Sequence, residues 1–167
     1  MSDTTPATPI REAPPAVGEE APDFSLPAVR DGGEEFTVNL REAAAEGPVM
    51  LVFYQDDGMP ICTRELQAFA QEHELLESAG IQVFGINTNG TGSHAMFHRR
   101  DHYPFPLISD FYAEAVKAYG MWDADERKSK RGVVVVGRGG RVQYVLGHFN
   151  PGNVAGFAEI FEALELV

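Results

Sequence analysis

Apolar and polar positions alternate in two patterns along most of the chain. Residues 49–54 (VMLVFY) and 81–87 (IQVFGIN) are almost continuous apolar runs, which is typical of strands buried on both faces. Between them, residues 60–78 carry apolar side chains at helical spacing and end before Gly80, which predicts an amphipathic helix. The same reasoning predicts a short strand at 106–109 and helices at 113–119, 153–166 and 93–103, the last one capped by Ser93.

Two glycine turns between apolar segments predict β-hairpins. Residues 31–33 (DGG) separate FSLPAV from EEFTVNL, and residues 138–140 (RGG) separate VVVVG from VQYVLG. Strands and helices that alternate between these hairpins predict an α/β fold with a mixed central sheet flanked by helices. The simplest architecture with that order is the thioredoxin-like fold, here with an N-terminal β-hairpin. We therefore predict a single thioredoxin-like domain over residues 21–167.

Residues 1–20 differ from the remainder of the chain in composition. They are rich in proline and poor in bulky apolar side chains, so they predict a flexible tail that cannot offset its ordering entropy by burial. The segment has neither the basic start nor the apolar run of a signal peptide. The chain also contains no uncharged apolar run long enough to span a bilayer. We expect a cytoplasmic protein that does not bind membranes.

The balance of charge argues against one class of partner. The 167 residues include 13 Lys and Arg and 25 Asp and Glu, which gives a net charge of −12. Nucleic-acid binding requires clustered basic side chains that displace counterions from phosphates, so we expect no nucleic-acid partner.

Cysteine and histidine give little support for a metal site. The sequence has one cysteine, which excludes a disulfide or a thiolate zinc cluster within it. His94, His98 and His102 follow an i, i+4, i+8 spacing that suits metal ligands. No Asp, Glu or Cys at a fitting offset completes a ligand set, and Arg99 and Arg100 would repel a cation. We predict no metal and no cofactor, and we expect these histidines to be partly exposed.

Cys62 is the strongest candidate for chemistry. It lies in the first turn of the helix at 60–78, just past the carboxyl end of a buried strand, where open α/β sheets commonly place their sites. A helix N-terminus favours the thiolate, and Arg64 adds a positive charge, whereas Asp56 and Asp57 oppose a second negative charge. A free cysteine is also often an inert buried residue. The position at a strand-to-helix turn favours the reactive thiol.

Four segments resemble one known family. They are FYQDDGMPICTREL, FPLISDF (residues 105–111), KAYGMW (117–122) and KRGVVVVGRGGRV (130–142). In sequence and order they resemble peroxiredoxins of the alkyl hydroperoxide reductase and thiol-specific antioxidant branch, and most closely the one-cysteine bacterial members. The resemblance implies that Cys62 is the peroxidatic cysteine. It also implies that Arg131 lowers the pKa of this thiol and holds the peroxide, and that Glu65 supports that network.

The active-site motif departs from the family at two positions. Gln55 stands where the family has proline, and Met59 stands where it has a threonine or serine whose hydroxyl orients the peroxide. Met59 has no donor to replace that hydroxyl. The other residues expected around the thiol are Pro60, Ile61, Tyr54 and Trp122. Tyr54 and Trp122 could equally line a pocket around the thiol or belong to the core.

The resemblance implies a thiol-dependent peroxidase that reduces hydrogen peroxide or organic hydroperoxides. Because there is no second cysteine in the sequence, the oxidised Cys62 would be reduced by an external thiol, either a small molecule or a thioredoxin- or glutaredoxin-type protein. The resemblance to peroxiredoxins also implies a homodimer. Two alternatives stay open. One is a degenerate redoxin that acts as a non-catalytic binding or regulatory module, and the other is a one-thiol exchange protein.

Overall fold

The computed structural model describes residues 10–150 and 154–164. Its strands are, in chain order, β1 (Ser25–Val29), β2 (Glu35–Asn39), β3 (Val49–Phe53), β4 (Gln82–Asn87), β5 (Leu107–Ser109), β6 (Trp122–Asp123), β7 (Lys128–Ser129), β8 (Gly132–Val136) and β9 (Val142–Leu146). Its helices are α1 (Leu40–Glu46), α2 (Pro60–Gln71), α3 (His73–Ser78), α4 (Thr91–Asp101), α5 (Glu114–Ala118) and α6 (Val154–Ala163). None of the helices in this part of the chain is long and apolar enough to cross a membrane.

Seven strands form one mixed sheet in the order β2-β1-β5-β4-β3-β8-β9. Strands β3, β4 and β5 are parallel to one another, and the remaining pairings are antiparallel. The predicted mixed sheet is confirmed, as are the two predicted hairpins, β1–β2 and β8–β9. Because β3, β4 and β5 run in the same direction, their carboxyl ends and the loops that follow meet at one edge of the sheet.

The central strand β3 is buried along its whole length and divides the core into two clusters. Val49, Leu51 and Phe53 face one cluster, and Met50 and Val52 face the other, which also contains Cys62. This explains why its sequence is continuously apolar, since both faces of the strand lie against helices and loops.

The helices differ from their predicted bounds, and α5 is one residue shorter at each end than the helix predicted at 113–119. The predicted helix at 60–78 is divided at Glu72 into α2 and α3, because Glu72 leaves the helical conformation, although Leu76 still extends the buried face. Helix α4 begins at Thr91 after Gly90, and Ser93 does not cap it. The hydroxyl of Ser93 instead donates to Asp57 at 2.7 Å. For the predicted helix at 153–166, residues 153 and 165–166 lie outside the described residues.

Helix α1 and the short β6–β7 hairpin were not predicted. Helix α1 has only seven residues, and its N-terminus is stabilised by the side chain of Asn39, which accepts a hydrogen bond from the Glu42 N–H at 2.9 Å. Strands β6 and β7 have two residues each. Elements of this length carry too few apolar positions to show a period.

The N-terminal segment contacts the domain where the structure describes it. Residues 1–9 of the predicted flexible tail lie outside the described residues. In residues 10–20, the Arg11 N–H donates to the Lys117 carbonyl at 3.1 Å and the Gly18 N–H donates to the Val142 carbonyl at 2.8 Å. Glu20 also forms a β-bridge with Arg141. Backbone hydrogen bonds therefore hold a segment that has few apolar side chains.

Gly120 gives a test of this packing. Its φ is +69°, and a Cβ there would lie 2.3 Å from the carbonyl oxygen of Ala13. Because the left-handed conformation alone costs about 1–2 kcal/mol for a non-glycine residue, we expect Gly120→Ala to destabilise the fold and to displace the segment. Hydrogen exchange at the Arg11 amide should accelerate. Gly139→Ala is the control, since nothing lies within 4 Å of its added Cβ. Unchanged exchange in Gly120→Ala would contradict the described contact.

Candidate active site

Cys62 lies at the edge of the sheet where β3, β4 and β5 end. Strand β3 leads through a loop to α2, and Pro60 opens this helix at a position that suits its fixed φ and missing N–H. Cys62 is the third residue of the helix, and its side chain is completely buried. Met59 and Ile61 are partly buried and pack against the same cluster as the thiol. The prediction that Cys62 sits in the first turn of a helix after a buried strand is confirmed.

The sulfur atom contacts both the loop before α2 and the residue that precedes the helix. The backbone N–H of Gln55 donates to Cys62 Sγ at 3.3 Å, and Met59 Sδ lies 3.8 Å from the same atom. Proline at position 55 would have no N–H to donate. The substitution at this position therefore adds a hydrogen bond to the sulfur, whereas Met59 adds only a weak acceptor.

Gln55 also joins the thiol to Arg131. Arg131 precedes β8, and its Nη1 donates to Gln55 Oε1 at 2.9 Å. The antiparallel pairing of β8 with β3 brings these residues together although they are 76 positions apart. Arg131 Nε is buried and has no hydrogen-bond partner among the described residues. The structure thus brings Arg131 to the site, and one glutamine contacts both this cation and the sulfur.

Glu65 is completely buried one turn after Cys62. Neither of its carboxyl oxygens has a hydrogen-bond partner in the part of the chain that the structure describes. Burial raises the pKa of Glu65 well above its ordinary value, and the charge of Arg131 offsets this in part. A carboxyl group in this environment is favoured in its neutral form. Among the described residues, Glu65 therefore interacts with Arg131 by charge and not through a hydrogen bond.

The pKa of the Cys62 thiol depends on opposing effects, and the expected lowering by Arg131 is one of them. Burial raises the pKa of the thiol, and the backbone N–H groups of Asp56 and Gln55 lower it only in part. The charge of Glu65 would raise it further, and the charge of Arg131 lowers it. Sequence reasoning weighed the helix terminus and the carboxylates of the loop but could not weigh complete burial of the sulfur.

A buried network fixes the loop between β3 and α2. Asp57 Oδ1 accepts hydrogen bonds from the Tyr54 hydroxyl at 2.6 Å and from Asn87 Nδ2 at 3.2 Å. Asp57 Oδ2 accepts from the Ser93 hydroxyl at 2.7 Å and faces His94 Nδ1 at 2.6 Å. Burial raises the pKa of Asp57, but His94 and the two hydroxyl donors together hold it below its ordinary value. Asp57 is therefore a carboxylate with four partners.

Of the three histidines that were expected to be partly exposed, only His102 is exposed to solvent. His94 and His98 are completely buried. His94 Nε2 faces the Ile108 carbonyl at 3.0 Å, and His98 Nε2 faces the Val29 carbonyl at 2.8 Å. Since a carbonyl only accepts, each of these nitrogens carries a proton. Burial lowers the pKa of His98. Within the described residues, no group of three or more His, Cys, Asp or Glu side chains is placed to hold a metal ion.

Sequence comparison adds the family to this geometry. Residues 17–145 match the AhpC/TSA family. The chain belongs to this family. The matched residues run from the segment before β1 into strand β9 and include the whole site described above. The resemblance to peroxiredoxins of this branch is therefore confirmed at the level of the family.

Curated relatives of this AhpC/TSA protein are named peroxiredoxins. The chain is 31% identical over 159 residues to "Peroxiredoxin Q, chloroplastic" of Oryza sativa subsp. japonica, covering 87% of this chain and 71% of the relative. It is 29% identical over 138 residues to "2-Cys peroxiredoxin BAS1, chloroplastic" of Hordeum vulgare, covering 78% of this chain and 65% of the relative. It spans only 51% of the BAS1 protein of Spinacia oleracea.

Solved structures confirm the predicted thioredoxin-like fold of this AhpC/TSA protein. The reduced 2-Cys peroxiredoxin of Plasmodium vivax superposes with a TM-score of 0.79 at 24% identity, covering 89% of this chain and 96% of the other. AhpC of Mycobacterium tuberculosis superposes with a TM-score of 0.76 at 22% identity, covering 91% and 99%. At such identities the likeness concerns the architecture.

The remaining predicted site residues divide between the two faces of the AhpC/TSA fold. Tyr54 belongs to the cluster of Cys62 and donates to Asp57. Trp122 packs against the cluster on the opposite face of the sheet, with Lys117 Nζ 5.1 Å from its ring centroid. Trp122 therefore packs against the core and does not line the site of Cys62. Arg64 is exposed, and Asp56 is paired with Lys128 at 2.5 Å.

The residues that sequence reasoning missed are Gln55, Asp57 and His94 as contacts of the active-site loop.

A cavity of about 430 Å³ elsewhere in the molecule does not belong to this site. Its lining includes Asn39, Gln82 and Phe105, near the amino ends of β4 and β5 and away from the sheet edge that holds Cys62.

Proposed function

We propose that this protein is a thiol-dependent peroxidase that reduces hydrogen peroxide or organic hydroperoxides through Cys62. The observation that carries the proposal is the geometry of the sulfur. One glutamine donates its backbone N–H to Cys62 Sγ at 3.3 Å and accepts from Arg131 at 2.9 Å. A nucleophile, a donor to its anionic form and a cation thus meet at the carboxyl edge of the sheet. Membership of the AhpC/TSA family supports the same chemistry.

The proposed reaction has two stages. The Cys62 thiolate attacks one oxygen of the hydroperoxide, so that an S–O bond forms and the O–O bond breaks. The sulfur is oxidised by two electrons to a sulfenic acid, and the other oxygen leaves with its electron pair and takes up a proton to become water or an alcohol. An external thiol then displaces water from the sulfenic acid to form a mixed disulfide, and a second external thiol releases Cys62.

Arg131 is the proposed stabiliser of charge in the first stage. Its guanidinium lowers the pKa of the thiol and offers donors to the leaving oxygen. Burial favours the neutral form of Glu65, and its proposed role is to support Arg131 from within the core. The proposed setting is the cytoplasm, with a small thiol or a thioredoxin- or glutaredoxin-type protein as reductant and a homodimer as the assembly.

The pH dependence follows from the buried thiol. The raised pKa of Cys62 means that the thiol keeps its proton at neutral pH, so the reactive thiolate grows as pH rises. We expect the rate of oxidation by hydrogen peroxide to rise about tenfold per pH unit. This rise should continue past about pH 8.5, which is the ordinary pKa of a thiol. Quenched-flow mass spectrometry from pH 6 upward measures it, with N-acetylcysteine as reference. A plateau that begins below pH 7 would contradict the raised pKa.

Turnover tests the proposed function as a whole. The protein should consume hydrogen peroxide continuously when dithiothreitol or glutathione is present, and Cys62→Ser should abolish this consumption. Consumption that persists in Cys62→Ser, or that is absent with every thiol tried, would overturn the proposal. Comparing hydrogen peroxide with cumene hydroperoxide then separates small from bulky substrates, since Met59 contacts the sulfur and Ile61 packs against the same cluster.

A non-catalytic redoxin is the second candidate. The observation that favours it is complete burial of Cys62, next to a thioether that offers no donor. Met59→Thr places a hydroxyl beside the sulfur and removes the packed side chain. If the protein is a degenerate redoxin, this change should raise a negligible peroxide rate by about 10²-fold, the usual effect of one oriented donor. If the protein is already a fast peroxidase, the gain should be small, and rapid-quench rates of the two proteins decide.

A further inference from the structure

Gln55 has three functional groups, and the structure assigns partners to two of them. Its backbone N–H donates to Cys62 Sγ, and its side-chain oxygen accepts from Arg131. The orientation of the amide is fixed by chemistry, because a guanidinium only donates and so requires the oxygen to face it. The side-chain NH₂ group of Gln55 therefore points away from Arg131. Among the described residues, no acceptor binds it.

The surroundings of the sulfur make this NH₂ group significant. Attack on an O–O bond places negative charge on the leaving oxygen, and donors aimed at that position stabilise the transition state. Met59 lies 3.8 Å from the sulfur, and Gln55 contacts it through its backbone N–H. Arg131 binds the side chain of Gln55, and Lys128 binds that of Asp56 and interacts with Cys62 by charge. Met59 has no donor. The carboxamide of Gln55 is thus a polar group that is held by Arg131 and belongs to a residue in contact with the nucleophile.

We propose that the Gln55 carboxamide is a catalytic donor that binds the hydroperoxide beside Cys62. Its NH₂ group hydrogen-bonds the leaving oxygen while its oxygen keeps Arg131 in place for the same atom. The residue therefore belongs to the substrate-binding machinery of this chain. The inference rests on the peroxidase function proposed above and adds the residue that orients the substrate.

The primary test replaces the carboxamide and keeps the backbone N–H. Gln55→Met has similar length and no donor, and it should lower the rate of Cys62 oxidation by hydrogen peroxide about 10²-fold. The rate of alkylation by iodoacetamide, which needs the thiolate but no peroxide-binding donor, should change less than about threefold, because the donor to the sulfur is retained. Gln67→Met, on the exposed side of α2, is the matched control and should change neither rate.

A second variant separates donation to peroxide from support of Arg131. Gln55→Glu keeps an oxygen for Arg131 but loses the NH₂ group, so its peroxide rate should fall relative to its alkylation rate. In the Arg131→Met background, Gln55→Met should still slow oxidation by about tenfold if the amide contacts the substrate. If Gln55→Met has no effect in that background, the glutamine acts only through Arg131 and the proposal is overturned. Far-UV circular dichroism verifies the fold of each variant.

The outcomes distinguish this inference from the function on which it rests. A wild-type protein that reacts with peroxide no faster than free cysteine overturns both. A fast wild-type protein whose Gln55→Met and Gln55→Glu variants are equally fast overturns the role of the amide and leaves the peroxidase intact.

Discussion

Replacing Arg131 with Met should lower the rate at which hydrogen peroxide oxidises Cys62 by about 10²–10³-fold. The variant keeps an apolar stem of similar length but loses the charge that lowers the pKa of the thiol, and it loses the donor that binds Gln55. The thiol pKa should therefore rise further, and the pH profile of oxidation should move to higher pH. Rapid-quench mass spectrometry over a pH series measures both effects.

Arg64→Met is the matched control for this experiment. Arg64 lies two residues after Cys62 in the same helix, but its side chain is exposed to solvent. Charges at such positions are screened, so its removal should change the rate by less than about threefold. Equal losses in the two variants would show that the general positive potential, and not the placed guanidinium of Arg131, activates the site.

Replacing Asp57 with Asn should destabilise the fold by about 3–5 kcal/mol. Asp57 accepts four hydrogen bonds, from Tyr54, Asn87, Ser93 and His94, and the exposed fractions of the His94 and Asp57 side chains are only 0% and 5%. An asparagine would turn an NH₂ group toward donors and leave the imidazole without its carboxylate. Urea unfolding followed by circular dichroism measures the free energy of unfolding.

The neighbouring Asp56→Asn change is the control for Asp57. Asp56 pairs with Lys128 where their side chains are 33% and 25% exposed, so its loss should cost less than about 1 kcal/mol. A loss at Asp57 as small as that at Asp56 would contradict the assigned network.

Acid should reduce the difference in unfolding free energy between the wild-type protein and Asp57→Asn. The pKa of Asp57 is lower in the folded state, so in acid the unfolded chain binds more protons at this residue than the folded one. The stabilisation by the ionised Asp57 carboxylate is fully present at neutral pH. It is lost as pH falls below the ordinary Asp pKa of about 4 and through the lower pKa of the folded state. The difference in unfolding free energy between the two proteins should narrow over that range.

The position of the thiol could be predicted from sequence because it depends on local patterns. A continuous apolar run followed by a polar loop and Pro60 already defines a buried strand, a turn and a helix start. Arg131 was placed through family resemblance, since its meeting with Gln55 depends on the pairing of β8 with β3. Local pattern therefore located the nucleophile, and strand order was needed to locate its cation.

The buried histidines show why other parts of the site could not be predicted. The spacing of His94 and His98 predicts that they share one face of α4, but this helix has few apolar residues to indicate which face is buried. That face is set by the carbonyls of Ile108 and Val29, which two distant strands present to the helix. Gln55 was likewise interpreted only as a lost proline, because its hydrogen bonds depend on how the loop folds over the sulfur.

The most direct test of the central claim is the rate constant for sulfenic acid formation at Cys62. Rapid quench with hydrogen peroxide, trapping by dimedone and intact mass measure it, with Cys62→Ser as the blank. The proposed site predicts a rate per thiolate at least about 10²-fold above that of free cysteine, since Arg131 and Gln55 both stabilise the departing oxygen. A rate per thiolate equal to that of free cysteine would contradict it.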